Sequence, residues 1–535
     1  MKIILGITTA LLFAVFTVAY LYFSNLTGDS RSNDKTLAAI PADASVIFNF
    51  SNDKSLFEIF KDYTIFDAIT GNRTREELHW LKRLLLDNQD LAGATEGQKI
   101  FLSFHPMSSD SLNFLWVMPI LEDLELEDVE DVLQKQDSIR TKTGAESGVP
   151  LLEIVDTEVA KTFYIGLDGG IARGSFSKAL LLESLNNSGK KLNKEFIKEI
   201  NDAILGNDDA LASLFINHHN PGFLNVFFKQ NPVGNFDLFS STAAFSSFNL
   251  NYKSDALMFN GISRITEQHD GYLNLFLKQK PVKNTIKKII PYNVSNAICY
   301  GLSDYELFNS GLKRLFVNRK ELATLDEQIR MITTETGVNP DRDIKKLWGN
   351  EFSNIQLSTY ENLAVIRVSN GRELQFFFEP LSAAYSPEVR KLNYENIFYY
   401  YFGDPLKKYT KPFFAVTDNL VIISNSPGTV QRFLNDYNND RLLSQNTSFN
   451  RFDQLIADQS NISFLLQLKN SKSLMKTLLK KESFNIFSKR FGNKDFYGIS
   501  YQLTSNADYF FTNFYTGYES ETAVSVDTLV YSKDN

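Results

Sequence analysis

Asp168-Gly169-Gly170-Ile171-Ala172-Arg173-Gly174-Ser175-Phe176-Ser177 decides how this chain is read, because a version of it returns as Asp418-Asn419-Leu420-Val421-Ile422-Ile423-Ser424-Asn425-Ser426-Pro427. Each copy reads as a hairpin turn, a short strand and the start of a helix. Asp168-Gly169 suits the positive backbone angles of a tight turn, and Ser426-Pro427 is a good N-cap followed by a residue that fits the first helical turn. Taken at the leading aspartate the separation is 418 minus 168, or 250 residues. Other landmarks keep that distance. Ile289-Ile290-Pro291 answers Ala39-Ile40-Pro41, and Ile462-Ser463-Phe464-Leu465 answers Ala212-Ser213-Leu214-Phe215. Near the end Asp508 to Asn513 answers Asp255 to Asn260, where 508 minus 255 gives 253. A repeat this long exceeds a solenoid unit, so two tandem homologous domains are expected.

Working outward, Ser45 to Phe50 has the β-branched and aromatic content of a strand, followed by a helix with Leu56, Ile59, Phe60, Tyr63 and Phe66 on one face. Thr74 with Glu77 predicts a capping box for a second helix through Leu86. Strands are predicted at 99–104, 113–118, 152–155, 162–166, 211–217, 245–252 and 256–262, and helices at 178–185 and 194–205. Several strands follow one another too closely for helical crossovers. The expected class is therefore α+β, with mostly antiparallel sheets and helices packed on one face. The domain reading is an anchor at 1–23, a linker at 24–37, repeats at 38–287 and 288–520, and a polar tail at 521–535.

The anchor is an uncharged run that opens at Ile3 and closes at Phe23. At about 1.5 Å per residue it can cross a hydrocarbon core of about 30 Å. A cleaved signal peptide is the rival, with Thr17-Val18-Ala19 as a small-x-small site, but the run continues through Tyr20-Leu21-Tyr22-Phe23. The only basic groups before it are the amino terminus and Lys2, which places the bulk of the chain outside the cytoplasm. A single-pass inner-membrane protein with a periplasmic body is expected, a secreted form being the alternative.

The 55 Lys+Arg against 63 Asp+Glu give a net charge of -8, which opposes a nucleic-acid partner. The hydrophobic share of 43% suits chains that bury a core, and the 45 Phe residues fall mostly in core patterns. The one cysteine, Cys299, excludes an intramolecular disulfide and reads as a buried structural thiol. The acidic stretch at 122–131 lacks calcium-loop spacing and reads as an exposed helix start. His218-His219 lacks the spacing of a two-ligand helix.

Ser175-Phe176-Ser177-Lys178 fits S-x-x-K and Lys142-Thr143-Gly144 fits K-T-G, but their order is reversed from that of penicillin-recognising enzymes. Ser473-Leu474-Met475-Lys476 fits the first pattern as well, which shows how little it specifies. Gly169 to Gly174 has P-loop glycine spacing, yet Ser175 stands where the phosphate-binding lysine belongs. No catalytic, cofactor-binding or metal residue is assigned.

The single anchor, the P-x-x-x-x-V-like strand that opens each unit and the Asp-turn-strand-Ser-helix stretch resemble uncharacterised membrane-anchored envelope proteins of Bacteroidota-type bacteria. The resemblance implies a domain of unknown function and carries over no site residue. The expected role is a non-catalytic envelope protein whose duplicated domains bind or scaffold another envelope protein. The alternatives are a carrier of a lipid or other apolar ligand, and an unrecognised hydrolase whose pocket in one copy holds convergent acids or a Ser-His pair absent from the other.

Overall fold

The computed structural model describes residues 33–51 and 77–518 apart from short intervals, of which 240–243, 266–270 and 491–495 are the longest. The expected membrane span at 3–23, the helix at 56–66, Thr74 and the polar tail lie outside the described residues. Among the described residues no helix is long and apolar enough to cross a membrane. The fold is mixed helix and antiparallel sheet, an α+β protein, and it divides into two compact units between Val226 and Phe227.

The first unit contains β1 (Val46–Ser51), β2 (Lys99–Ser108), β3 (Ser111–Pro119), β4 (Ile139–Glu146), β5 (Val149–Asp156), β6 (Lys161–Asp168), β7 (Ile171–Ser175) and β8 (Ala212–Asn217). All pair antiparallel, in the order β8-β1-β2-β3-β7-β6-β5-β4. Its helices include α1 (Leu126–Leu133), α2 (Lys178–Leu185) and α3 (Lys194–Gly206). The deciding stretch folds as expected, with the turn one residue later: Gly169 and Gly170 carry the positive φ values, 61° and 77°. Ser175 Oγ then donates to the Phe114 carbonyl at 2.8 Å and accepts from the Ser177 amide at 3.0 Å, while Ser177 Oγ caps α2 through the Leu180 amide. Two hydroxyls thus satisfy backbone groups that a strand-to-helix corner would otherwise orphan.

The second unit contains β9 (Phe245–Lys253), β10 (Ala256–Arg264), β11 (Val282–Lys283), β12 (Val294–Gly301), β13 (Trp348–Leu357), β14 (Asn362–Val368), β15 (Ser382–Ala384), β16 (Arg390–Leu392), β17 (Phe413–Thr417), β18 (Leu420–Ser424), β19 (Gln459–Ser460), β20 (Ile462–Gln467), β21 (Phe496–Ser505) and β22 (Tyr509–Tyr518). The large ladder runs β9-β10-β22-β21-β20-β12-β13-β14-β18-β17-β16-β15, again antiparallel throughout. Its helices include α4 (Tyr305–Asn318), α5 (Leu322–Thr336), α6 (Gly371–Phe378), α7 (Ile397–Phe402), α8 (Pro427–Asn438) and α9 (Leu468–Leu478). Ser424 and Ser426 repeat the corner chemistry: Ser424 Oγ donates to the Asn362 carbonyl at 2.7 Å, and Ser426 Oγ caps α8 through the Thr429 amide.

Three departures from the sequence reading stand out. The hairpin β9–β10, expected to close the first repeat before residue 288, belongs to the second unit, because β10 pairs with β22 over its whole length. The later stretch turns at Asp418-Asn419 between the paired residues Thr417 and Leu420, so Asp418, at φ 49°, takes the turn position that Gly169 holds in the earlier stretch and not that of Asp168. Finally, β12 is buried at all eight residues, with cover on both faces and not on one. Ser295 meets α9 through Ser471 at 3.0 Å, whereas Asn296 on the opposite face meets Asn235 at 2.8 Å.

Candidate functional site

The face of β12 that carries Asn296, Ile298 and Tyr300 forms the floor of a cleft of about 730 Å³ within the second unit. Alternation along the strand puts these three side chains on one side, and β13 adds Asn354 beside them. Phe352, the cross-strand partner of Tyr300 on β13, stacks beside it with ring centroids 4.7 Å apart. One wall is the 3₁₀ turn Gly234–Phe239. It is pinned by buried amides: Asn235 Nδ2 donates to Asn296 Oδ1 at 2.8 Å, and Asn354 Nδ2 donates to Asn235 Oδ1 at 2.7 Å. Asn354 Oδ1 in turn accepts from the Tyr409 hydroxyl at 3.0 Å. A buried amide network with its partners in place holds a fixed geometry, since breaking any bond strands a desolvated polar group.

The facing wall is the segment from Asp404 to Lys408. Arg319, at the C-terminal end of α4, clamps Asp404 with two bonds of 2.6 and 3.0 Å, and this pairing raises the arginine's pKa. Gly403, at φ 73°, lets the chain pass the Tyr272 ring, which a Cβ there would meet at 2.6 Å. Tyr272 donates to the Phe402 carbonyl at 2.5 Å and completes the rim with Gly271 and Leu273.

Two groups in this cleft have capacity left over. Tyr300 is 6% exposed, and its hydroxyl has no hydrogen-bond partner among the described residues. Burial pushes its pKa far up, so it stays an O–H donor. Lys408 Nζ donates to Asn362 Oδ1 at 2.6 Å, but no carboxylate among the described residues pairs with it. Burial lowers the lysine to about 8. Its neighbour Lys407, by contrast, is committed to Glu321 at 3.1 Å. The cleft therefore offers a fixed polar floor, aromatic and aliphatic sides, a cation without a paired carboxylate among the described residues and a hydroxyl without an acceptor.

The residues singled out in the sequence fall elsewhere. Ser175 is fully buried and spent on its corner, and Lys178 is paired with Glu146, so they form no catalytic couple. Lys142-Thr143-Gly144 lies on β4, where Thr143 Oγ1 donates to Glu130 at 2.5 Å. Ser473 and Lys476 sit exposed on α9. The acidic stretch starts α1 through a capping box of Glu125 and Asp128. His218 and His219 follow β8, and burial with the adjacent imidazole lowers His218 to about 4. Cys299 is buried, its thiol pushed up to about 12 by desolvation.

One arrangement was missed in the sequence. Ser103 Oγ lies 2.8 Å from His105 Nε2, and His105 Nδ1 lies 2.7 Å from Asp43 Oδ1, which is the connectivity of a hydrolase triad. Alternation on β2 puts Ser103 and His105 on one face, so the i, i+2 spacing was the available signal. Yet Ser103 and His105 are both fully buried, and neither lines a described cavity. Ser103 Oγ is also within 3.4 Å of the Leu115 carbonyl. A nucleophile needs an approach for its substrate. This chain reads as a satisfied core network.

Among the described residues no group of three His, Cys, Asp or Glu side chains is placed to hold a metal. No protein-family model and no curated protein matches the chain. Among solved structures, crystal form III of TP0453 is similar over 46% of this chain and 89% of its own, at 12% identity and a TM-score of 0.26. Crystal form I gives 46%, 88%, 11% and 0.24. Likeness at that level fixes neither fold nor function.

Proposed function

We propose that this is a non-catalytic, membrane-anchored binding protein of a bacterial envelope, built from a duplicated domain, whose second copy takes a small ligand in the cleft over β12. The observation that carries the binding role is the cleft itself: about 730 Å³ lies in the range of small-molecule sites, over a rigid amide floor. Two acids line the cleft, Asp237 and Asp404, and Asp404 is locked to Arg319 by two bonds. The anchor at 3–23, the inner-membrane placement and the resemblance to Bacteroidota-type envelope proteins rest on the sequence.

The duplication is supported by register. Val46 faces Ile216 and Asn296 faces Leu466, each partner shifted by 250 residues (296 minus 46, 466 minus 216). Phe248 faces Gly261 and Tyr501 faces Phe514, each shifted by 253 (501 minus 248, 514 minus 261). The serine corners recur at 249 (424 minus 175, 426 minus 177).

A carrier of a wholly hydrocarbon ligand suits this cleft less well, because it would cover the Lys408 ammonium without supplying a counter-charge. The test is extraction of the full-length protein from its own membranes with Val233→Trp alongside. Val233 is 64% exposed at the mouth, so the indole fills the entrance without disturbing the core. A small molecule that co-purifies with the native chain and is lost from the variant is the expected result. Identical small-molecule content in both would sink the cleft as the site.

A further inference from the structure

In the cleft over β12 two separate observations point to the same chemistry. A cation without a paired carboxylate among the described residues and a hydroxyl without an acceptor line one cavity. Both are donors.

Resting on the binding role just proposed, we infer that the ligand of this cleft is an amphiphilic oxyanion, a carboxylate or phosphate on an apolar body, with Lys408 as its counter-charge and Tyr300 as a hydrogen-bond donor. An ammonium is a donor only, and a phenol whose own O–H has no acceptor is free to donate it; of the two acids lining the cleft, Asp404 is already neutralised by Arg319. A carboxylate or phosphate oxygen accepts from both at once, and such charge-assisted bonds are among the stronger polar contacts. The other cations of the cleft are already spent, Arg319 on Asp404 and Lys407 on Glu321. The apolar body is set by Leu238, Leu273, Ile298 and the Tyr272 ring, which present hydrocarbon and aromatic surface to the same space. Lys408 has the neutral Asn362 amide as its hydrogen-bond partner and no carboxylate against it among the described residues, and an anion in the cleft would supply the counter-charge.

A free metabolite and a lipid headgroup share this chemistry, and one experiment separates them. The full-length protein in detergent is titrated calorimetrically with octanoate and with octanamide, a pair of matched shape that differs in charge. Octanoate is expected to bind at least tenfold more tightly, and Lys408→Met to remove that preference. Tyr300→Phe, which keeps the stacked ring, is expected to reduce octanoate affinity alone and guards against a misfolded Lys408 variant. If octanoate fails but sedimentation on phosphatidylglycerol vesicles exceeds that on phosphatidylcholine and is lost in Lys408→Met, the oxyanion belongs to a headgroup and the inference stands. Equal binding of octanoate and octanamide overturns it, as does a preference that survives both substitutions. Binding of neither probe, with no vesicle preference, overturns it too. The Val233→Trp extraction then still reports independently on whether the cleft binds anything.

Discussion

Asn260 and Asn513 face each other across the β10–β22 ladder, and the Asn260 amide donates to Asn513 Oδ1 at 2.8 Å. They are the pair in that ladder separated by 253 residues (513 minus 260), the shift that carries the register of β9–β10 onto that of β21–β22. A local two-fold axis of this four-stranded ribbon therefore passes between them. Asn251 extends the bond chain by donating to Asn260 Oδ1 at 3.1 Å. In a double-mutant cycle of Asn260→Ala and Asn513→Ala, urea unfolding is expected to show a coupling of about 0.5–1.5 kcal/mol. Strict additivity would mean that the contact adds nothing to the ribbon.

The two serine corners should respond alike. Ser175→Ala leaves the Phe114 carbonyl without its donor, and Ser424→Ala does the same to Asn362. Each is expected to cost about 1–3 kcal/mol in chemical denaturation. The caps Ser177→Ala and Ser426→Ala are expected to cost about 1 kcal/mol each.

Lys408 gives the cleft a pH signature. Its folded pKa of about 8 lies below the ordinary lysine value of 10.5, so between those two pH values the unfolded chain binds more protons. Stability contributed by this group therefore rises with pH from about 8 towards 10.5, and its penalty is full below 8. The other charges lining the cleft are Arg319, Lys407, Asp237 and Asp404. Unfolding measured across that window should show the slope, and Lys408→Met should flatten it.

The Ser103 network should behave as core. A fluorophosphonate probe is expected to leave Ser103 unmodified in the folded protein, as peptide mass spectrometry would read. His105→Ala removes a fully buried ring and the partner of buried Ser103, and is expected to destabilise by about 2–4 kcal/mol. Labelling at Ser103 would reopen the hydrolase alternative.

Much of the scaffold was legible because its signals are local. Helix α2 follows from Ser177 and the apolar run after it, and β8 and β20 follow from the shared pattern around Ser213 and Ser463. Strand β4 escaped because Ile139 is its only buried residue, and its pairing with β5 supplies what its polar sequence lacks. The attachment of β9–β10 to β22 escaped for the same reason, since pairing partners about 250 residues apart leave no trace in either segment. The cleft was the least legible part. Asn235, Tyr300, Asn354 and Lys408 are ordinary residues in their own neighbourhoods, and only the register of β12 and β13 gathers them.

The burial of β12 on both faces also bears on how such a protein can change over time. Ser295, Ala297 and Cys299 belong to one packed layer and Asn296, Ile298 and Tyr300 to the other, so a slip of one residue would exchange cleft floor for core. The floor is thus tied to the fold and is poorly placed to vary. The turn at Gly234–Phe239 and the segment from Asp404 to Lys408 carry no such double duty. Diversification of ligand preference among descendants of this chain should accumulate in those two walls, over a floor that stays the same.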